Sequence, residues 1–352
     1  MSRMKTAILL PCFAPKPSST LFVLGLLGST LLSGFAYTPK NIVVATVTVG
    51  TLPFSLVVSP DSSTVYVTNE GSHSISGIDT ATETVGSTIS VSGEPFYLAI
   101  TPDGNDLYCT ENGANADLEF STVTQHLIQS YATGSAPGQQ AISPDGTLIY
   151  ISNYSNGTVT VISNGTLLSP ISVGGNPIAV IFSPDGSHAY VANQGVPGAY
   201  FVSVIDTATN TVSGVINKLK TYPLGGLAFS PDGTQLYLTG TGTDSFHPEV
   251  AVIDTATNKV SDIIVLRYDR RLPGEPAITP DGQFLYVPLA HGPGLKADNG
   301  QVAMVKTATN KVAGKVIAGM QPVAVAITPD SKHAYVSNYL DGTVSVIDIT
   351  PK

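Results

Sequence analysis

The sequence predicts an all-β fold, a seven-bladed β-propeller of four-stranded blades. Two observations carry that prediction. A phrase of the form Ser/Thr-Pro-Asp-Gly/Ser, followed two to four residues later by Tyr, occurs seven times, with prolines at Pro60, Pro102, Pro144, Pro184, Pro231, Pro280 and Pro329. The spacings, 40 to 49 residues, match one propeller blade. A second proline opens an apolar run ahead of each phrase, at Pro53, Pro95, Pro137, Pro177, Pro223, Pro273 and Pro322. No helical periodicity is evident anywhere.

Each repeat resolves into four strands in a fixed order. The run after the first proline, such as Val323-Ala324-Val325-Ala326-Ile327, is the innermost strand. Ser/Thr-Pro-Asp-Gly is a tight turn. Pro presets φ, Asp bonds the local backbone, and Gly accepts positive φ. The second strand carries Tyr-Val-x-Asn, as in Tyr66 to Asn69, Tyr190 to Asn193 and Tyr335 to Asn338. A loop leads to a third strand of the form Val-x-Val-Ile-Asp, ending at Asp206, Asp254 or Asp348. Thr-Ala-Thr-Asn turns the chain into an alternating outer strand, as in Thr211 to Ile216. The seventh repeat runs out after its third strand. The stretch 42–49 (Ile-Val-Val-Ala-Thr-Val-Thr-Val) has the outer-strand pattern, so the two termini are expected to pair and close the ring, which removes open edges.

On the phrases Tyr66-Val67-Thr68-Asn69, Ser230-Pro231-Asp232-Gly233 and Val252-Ile253-Asp254-Thr255-Ala256-Thr257-Asn258, residues 41–349 resemble the YVTN-type β-propeller repeat family of extracellular and surface-layer proteins. The resemblance implies a fold and a surface or binding role. It implies no catalytic residue, because the shared phrases are turn and packing signals. Unit two lacks the Thr-Ala-Thr-Asn phrase between Asp117 and Ile128, and Lys306 replaces the usual Asp in unit six.

Residues 1–36 read as a signal peptide or signal-anchor. Arg3 and Lys5 precede an apolar stretch that ends in Gly34-Phe35-Ala36. Residues 37–352 read as one propeller domain, expected to be secreted, extracellular or periplasmic, and monomeric. Loss of the leader takes away Arg3, Lys5 and Lys16 and no acid, so the formal charge falls from −9 to −12. Such a body repels phosphate backbones, which argues against a nucleic-acid partner. Beyond the leader no membrane span is expected. Cys109 stands where other repeats carry Val, Ile or Leu and reads as a buried hydrophobe. The sequons at Asn153, Asn156 and Asn164 read first as hairpin-turn chemistry.

Function is expected on the variable loops between second and third strands and between blades, which share one face. The longest, 241–248 and 289–300, belong to units five and six. Near them fall Lys220, His247, Arg267, Arg270, Arg271, Glu275, His291 and Lys296. A basic sector there would suit a carboxylate or phosphate ligand. The acids Glu70, Glu94, Glu111, Asp117 and Glu119 are expected in the equivalent loops of units one and two. His73, His247 and His291, or two of them with Glu275 or Asp244, form the alternative of a divalent-metal site. Otherwise no cofactor is expected. His188 and His333 follow turns on the opposite face, and His126 reads as structural. There is no Gly-x-Ser-x-Gly elbow and no phosphate-cradling loop before a helix.

Two readings follow. In the first, the chain is a binding module whose loop face holds a protein, glycan or small anionic ligand. In the second, it is an enzyme at the channel mouth, and its resemblance to seven-bladed propellers in general implies a lactonase-type hydrolase or metal-dependent lyase. Glu275 would then be the base, and Arg271, His247 and His291 would hold the anion or metal.

Overall fold

A computed structural model describes residues 38–195, 200–217, 219–243, 247–267, 271–291 and 299–352. They form a seven-bladed β-propeller. Blade 1 holds β2 (Pro53–Val58), β3 (Thr64–Asn69), β4 (Ser74–Asp79) and β5 (Thr84–Ser90). Blade 2 holds β6 (Pro95–Ile100), β7 (Asp106–Glu111), β8 (Ala116–Ser121) and β9 (Leu127–Ala132). Blade 3 is β10 (Pro137–Ile142), β11 (Leu148–Asn153), β12 (Thr158–Ser163) and β13 (Thr166–Ser172). Blade 4 is β14 (Asn176–Phe182), β15 (His188–Gln194), β16 (Phe201–Asp206) and β17 (Thr211–Ile216). Blade 5 is β18 (Thr221–Phe229), β19 (Gln235–Gly242), β20 (Pro248–Asp254) and β21 (Lys259–Val265).

In blade 6 the expected continuous inner strand is broken into β22 (Leu272–Pro273) and β23 (Ala277–Ile278). The break falls on Gly274-Glu275-Pro276, where Pro276 has no N–H to donate to the ladder. β24 (Phe284–Ala290), β25 (Gln301–Lys306) and β26 (Lys311–Ile317) complete that blade. Blade 7 is β27 (Pro322–Ile327), β28 (His333–Asn338), β29 (Thr343–Asp348) and the N-terminal β1 (Ile42–Thr48). β1 pairs antiparallel with β29 from Ile42↔Asp348 to Thr48↔Thr343, so the ring closes by the expected union of both ends.

The repeated phrases form two linked turns. In every Ser/Thr-Pro-Asp turn the hydroxyl donates to the Asp carboxylate, as from Ser59 to Asp61 and from Thr101 to Asp103, both at 2.6 Å. The threonine that follows the third strand donates to a carbonyl of that turn, as from Thr80 to Ser62 and from Thr207 to Gly186, both at 2.7 Å. Unit two keeps the second turn without its phrase. Gln125 takes φ 59° and its N–H reaches the Ser121 carbonyl at 2.8 Å.

Seven apolar clusters among the described residues fill the ring, each shared by two neighbouring blades. The second-strand tyrosines add a polar lock across these interfaces. Tyr190 donates to Asn258 at 3.3 Å, and Tyr335 to Glu83 at 3.0 Å. Tyr150 bonds Asn210 in the same way. Each acceptor sits at positive φ in the next blade's outer turn. For blade 7 that turn residue is Asn41, ahead of β1, and Tyr286 of blade 6 donates to it at 2.7 Å. The closing strand thus brings its own lock.

Candidate functional site

The inner strands start at one end of the ring, and the second residue after the opening proline recurs there. Tyr97, Gly225, Glu275 and Ala324 all hold that position, and all line a cavity of about 160 Å³ on the axis. Phe54, Leu272, Pro273 and Pro322 complete most of its wall. Gln139, at the same offset in blade 3, reaches across the ring and donates from Nε2 to Glu275 Oε1 at 2.5 Å. Gly225 lets blades 5 and 6 approach closely. A Cβ there would lie 2.1 Å from the Gly274 carbonyl oxygen.

Glu275 is the chemical centre of this cavity. Part of the residue faces the channel, but its carboxyl group is enclosed by protein. Burial raises its pKa from 4.5 to about 7, against a smaller lowering by the Gln139 hydrogen bond. Gln139 Oε1 is buried and accepts no hydrogen bond. Tyr97 lies close enough for the Glu275 charge to add to the burial that already raises its own pKa. Its phenol therefore stays a hydrogen-bond donor at neutral pH.

Aromatic rings crowd the rim of the cavity on the blade 7–1–2 side. Phe54 stacks on Phe96 with centroids 4.3 Å apart. It meets Tyr97 and Tyr339 edge-on, at 5.2 and 6.3 Å. Tyr339 donates to Glu70 at 3.0 Å. Burial raises its pKa to about 12, with further contributions from Glu70 and Glu94.

The basic candidates separate into distinct environments. Lys220 is exposed, and His247 is half-buried, its carbonyl accepting the Gly242 N–H at 2.9 Å. Arg271 is 4% exposed and points a guanidinium N–H at the Leu289 carbonyl, 3.5 Å away. Arg271 directly precedes β22 and the half-buried His291 directly follows β24, next to the Leu272↔Ala290 pair. Arg267 bonds Gln301 and lines a peripheral groove of about 270 Å³ with Leu266, Leu289 and Lys315. That groove and the axial cavity share no lining residue. Arg270, Lys296 and Asp244 lie outside the described residues.

His73 stands in blade 1, its ring Nδ1 2.7 Å from the Gly93 carbonyl oxygen. Among the described residues no three His, Cys, Asp or Glu side chains gather as metal ligands, so His73, His247 and His291 do not form a common site.

Three of the acids expected in loops are strand residues instead, and the first, Glu111, ends β7 and is buried. Asp117 lies within β8 with no exposed surface, and Glu119 follows two residues later on the same face. Asp117 occupies the register position of Ile75, Val159 and Val344 in other blades. Glu119 accepts from Tyr131 at 2.7 Å. Gln140, beside Gln139, stands where blades 1 and 2 carry Leu56 and Leu98. Burial pushes the Asp117 pKa well up, with Glu119 adding to it and Gln140 opposing. Both Asp117 oxygens and Gln140 Oε1 lack hydrogen-bond partners. β10 thus presents two adjacent glutamines, each beside a carboxyl with a raised pKa.

Residues 78–173, about a quarter of the chain, match the family model described as lactonase, 7-bladed β-propeller. The matched segment contains Tyr97 and Gln139 but not Glu275. A comparison with curated proteins returns no match. Among solved structures the chain is similar to the hydrazine synthase of Kuenenia stuttgartiensis, with a TM-score of 0.77 and 22% identity. The match covers 91% of this chain and 99% of that one. At that identity the likeness speaks for the fold alone. Among the described residues no helix is long and apolar enough to cross a membrane.

Proposed function

We propose that the axial cavity is a small-molecule site and that Glu275 exchanges a proton there near neutral pH. The observation that carries this reading is one enclosed carboxyl in the cavity wall whose pKa is raised to about 7. Such a group is half ionised where a general acid–base must work. The partial likeness to the lactonase family supports a reaction class, the opening of a small lactone by water.

In that reaction Glu275 takes a proton from water as the oxygen attacks the ring carbonyl. The Tyr97 phenol is placed to donate to the developing oxyanion. The ring C–O bond then breaks, and Glu275 returns its proton to the leaving alkoxide, giving a hydroxy acid. Gln139 holds the carboxyl across the channel. A cavity of about 160 Å³ is close in size to engineered cavities that hold benzene, so the substrate is small, on the order of six to eight heavy atoms.

The test is hydrolysis of a panel of small lactones between pH 5 and 9. The expected kcat/KM rises with pH with a midpoint near 7, and Glu275→Gln lowers it at least a hundredfold. Full activity in Glu275→Gln would overturn the reading. A second reading keeps the loop face as a binding surface without chemistry. It is favoured by the long variable loops of blades 5 and 6, and an inactive protein that still binds ligand would support it. On residues 1–36 we further propose export to the cell envelope or exterior.

A further inference from the structure

We infer that the axial cavity takes a small organic cation, a ligand with an alkyl- or quaternary-ammonium head, seated between the aromatic wall of Phe54 and Tyr97 and the carboxylate of Glu275. The inference rests on the axial cavity being the ligand site and adds the class of ligand. It does not depend on hydrolysis.

Three features of the cavity have the same electrostatic sense. The first is the aromatic wall. Phe54 and Tyr97 both line the space, and Phe96 and Tyr339 pack behind Phe54. Aromatic faces carry negative charge density and attract alkylammonium groups, which keep an apolar surface around their charge. The second is the carboxyl on the blade 6 side. Glu275 is half protonated at pH 7 because burial disfavours its charge. A cation in the cavity would supply the compensating charge and let it ionise. The third is the rim. Glu70 bonds Tyr339, and Glu94 lies near the same phenol. On a chain of formal charge −9 these acids focus cations towards the mouth.

The groups facing Glu275 are compatible with such an occupant. Tyr97 from β6 and Gln139 from β10 are neutral donors. Arg271, on the same segment as Glu275, is buried with an N–H directed at the Leu289 carbonyl. The rest of the wall is largely Gly, Ala and Pro, including Gly225, Ala324, Pro273 and Pro322. Those residues suit a compact head with methyl groups, and Gln321 adds one polar side chain to the rest of the wall.

The experiment is isothermal calorimetry on the purified protein at pH 7 with choline and its neutral isostere 3,3-dimethylbutan-1-ol. Titrations run in two buffers of different ionisation enthalpy. Choline is expected to bind at least tenfold more tightly than the isostere, and to release about half a proton per site, because Glu275 starts half protonated. Glu275→Gln should abolish both the preference and the proton release. Phe54→Leu should weaken choline at least tenfold, and Tyr97→Phe, which keeps the aromatic face, should leave it within about threefold.

Equal affinity for the two probes, no proton release, or no binding of choline up to about 20 mM would each overturn the inference. Urea unfolding of each variant separates loss of the site from loss of the fold. Lactone hydrolysis that depends on Glu275 while choline neither binds nor inhibits would sink the cation and leave the proposed activity standing. Choline binding in a protein that opens no lactone would do the reverse.

Discussion

Replacing Glu275 with glutamine should stabilise the protein, and by an amount that grows with pH. The pKa of this carboxyl rises from 4.5 to about 7 in the fold. A tenfold change in proton affinity is worth about 1.4 kcal/mol, so holding Glu275 ionised costs the folded state about 3 kcal/mol. The folded protein binds the proton more tightly than the unfolded chain. The stability contributed by this group is therefore greatest below pH 4.5, falls as pH rises through 7, and levels off above about 8. The amide in Glu275→Gln mimics the neutral acid, since it carries no charge and can still accept from Gln139. The advantage of the variant should then rise from about 1 kcal/mol at pH 5 to about 3 kcal/mol at pH 9. Urea unfolding at pH 5, 7 and 9 measures it as a growing gap between midpoints, on the order of 1 M at the alkaline end. Every other titrating group cancels in the comparison of the two proteins. A gap that stays constant across the range would refute the enclosed, proton-holding carboxyl, and with it the acid–base role.

Asp117→Asn should also stabilise, by at least about 1 kcal/mol at pH 8.5 and less at pH 5.5, because an amide gives Gln140 Oε1 a donor without burying a charge. A variant less stable at both pH values would contradict the protonated pair. Asn41→Ala should cost about 1–2 kcal/mol in unfolding free energy, from the lost Tyr286 bond and from a Cβ residue at φ 53°. Asn41→Gly, which keeps the conformation, should recover part of that loss, and hydrogen exchange in β1 should accelerate in both. Gly225→Ala should lower the urea midpoint by more than 1 M or prevent folding, since its Cβ collides with the Gly274 carbonyl oxygen. A well-folded Gly225→Ala that still binds its ligand would show that the axial wall can yield.

The fold was legible because its phrases are complete local devices. Ser59 donates to Asp61, and Thr80 donates to the Ser62 carbonyl of the same turn, so the recurrence of these residues maps directly onto recurring structure. The outer strand at 42–49 was equally plain from its alternation and from the strand missing at the other end. Blade 6 departs because Pro276 interrupts an apolar run whose composition alone suggests a continuous strand. Asp117 and Glu119 looked like loop acids because charge normally marks exposure. Only register shows that they occupy positions filled by Val or Ile elsewhere.

The candidate site was half legible. Glu275 stood out as an acid close to the channel mouth. Its partner Gln139 lies 136 residues away in the opposite part of the ring, and no local pattern links the two. A signal did exist: both sit two residues after an inner-strand proline, as do Tyr97 and Gly225. Aligning the repeats on that proline, rather than on the turn phrase, gathers the axial residues into one column. The charges of Arg271 and Arg267 were visible, but not that the fold would draw one inside and send the other to a peripheral groove.

The pairing of β1 with β29 has a mechanical consequence. Ile42 sits opposite Asp348, and beyond them Pro39 bridges Pro351, so the segment that enters β1 and the one that leaves β29 run side by side at blade 7. Tension applied between those segments loads the seam one hydrogen-bonded pair at a time, like opening a zip. A load across the ring instead meets whole four-stranded blades in parallel. The molecule should yield at low force when pulled by its termini and resist when gripped across its diameter. A partner fused or tethered at both ends would hold shut the one seam that can open.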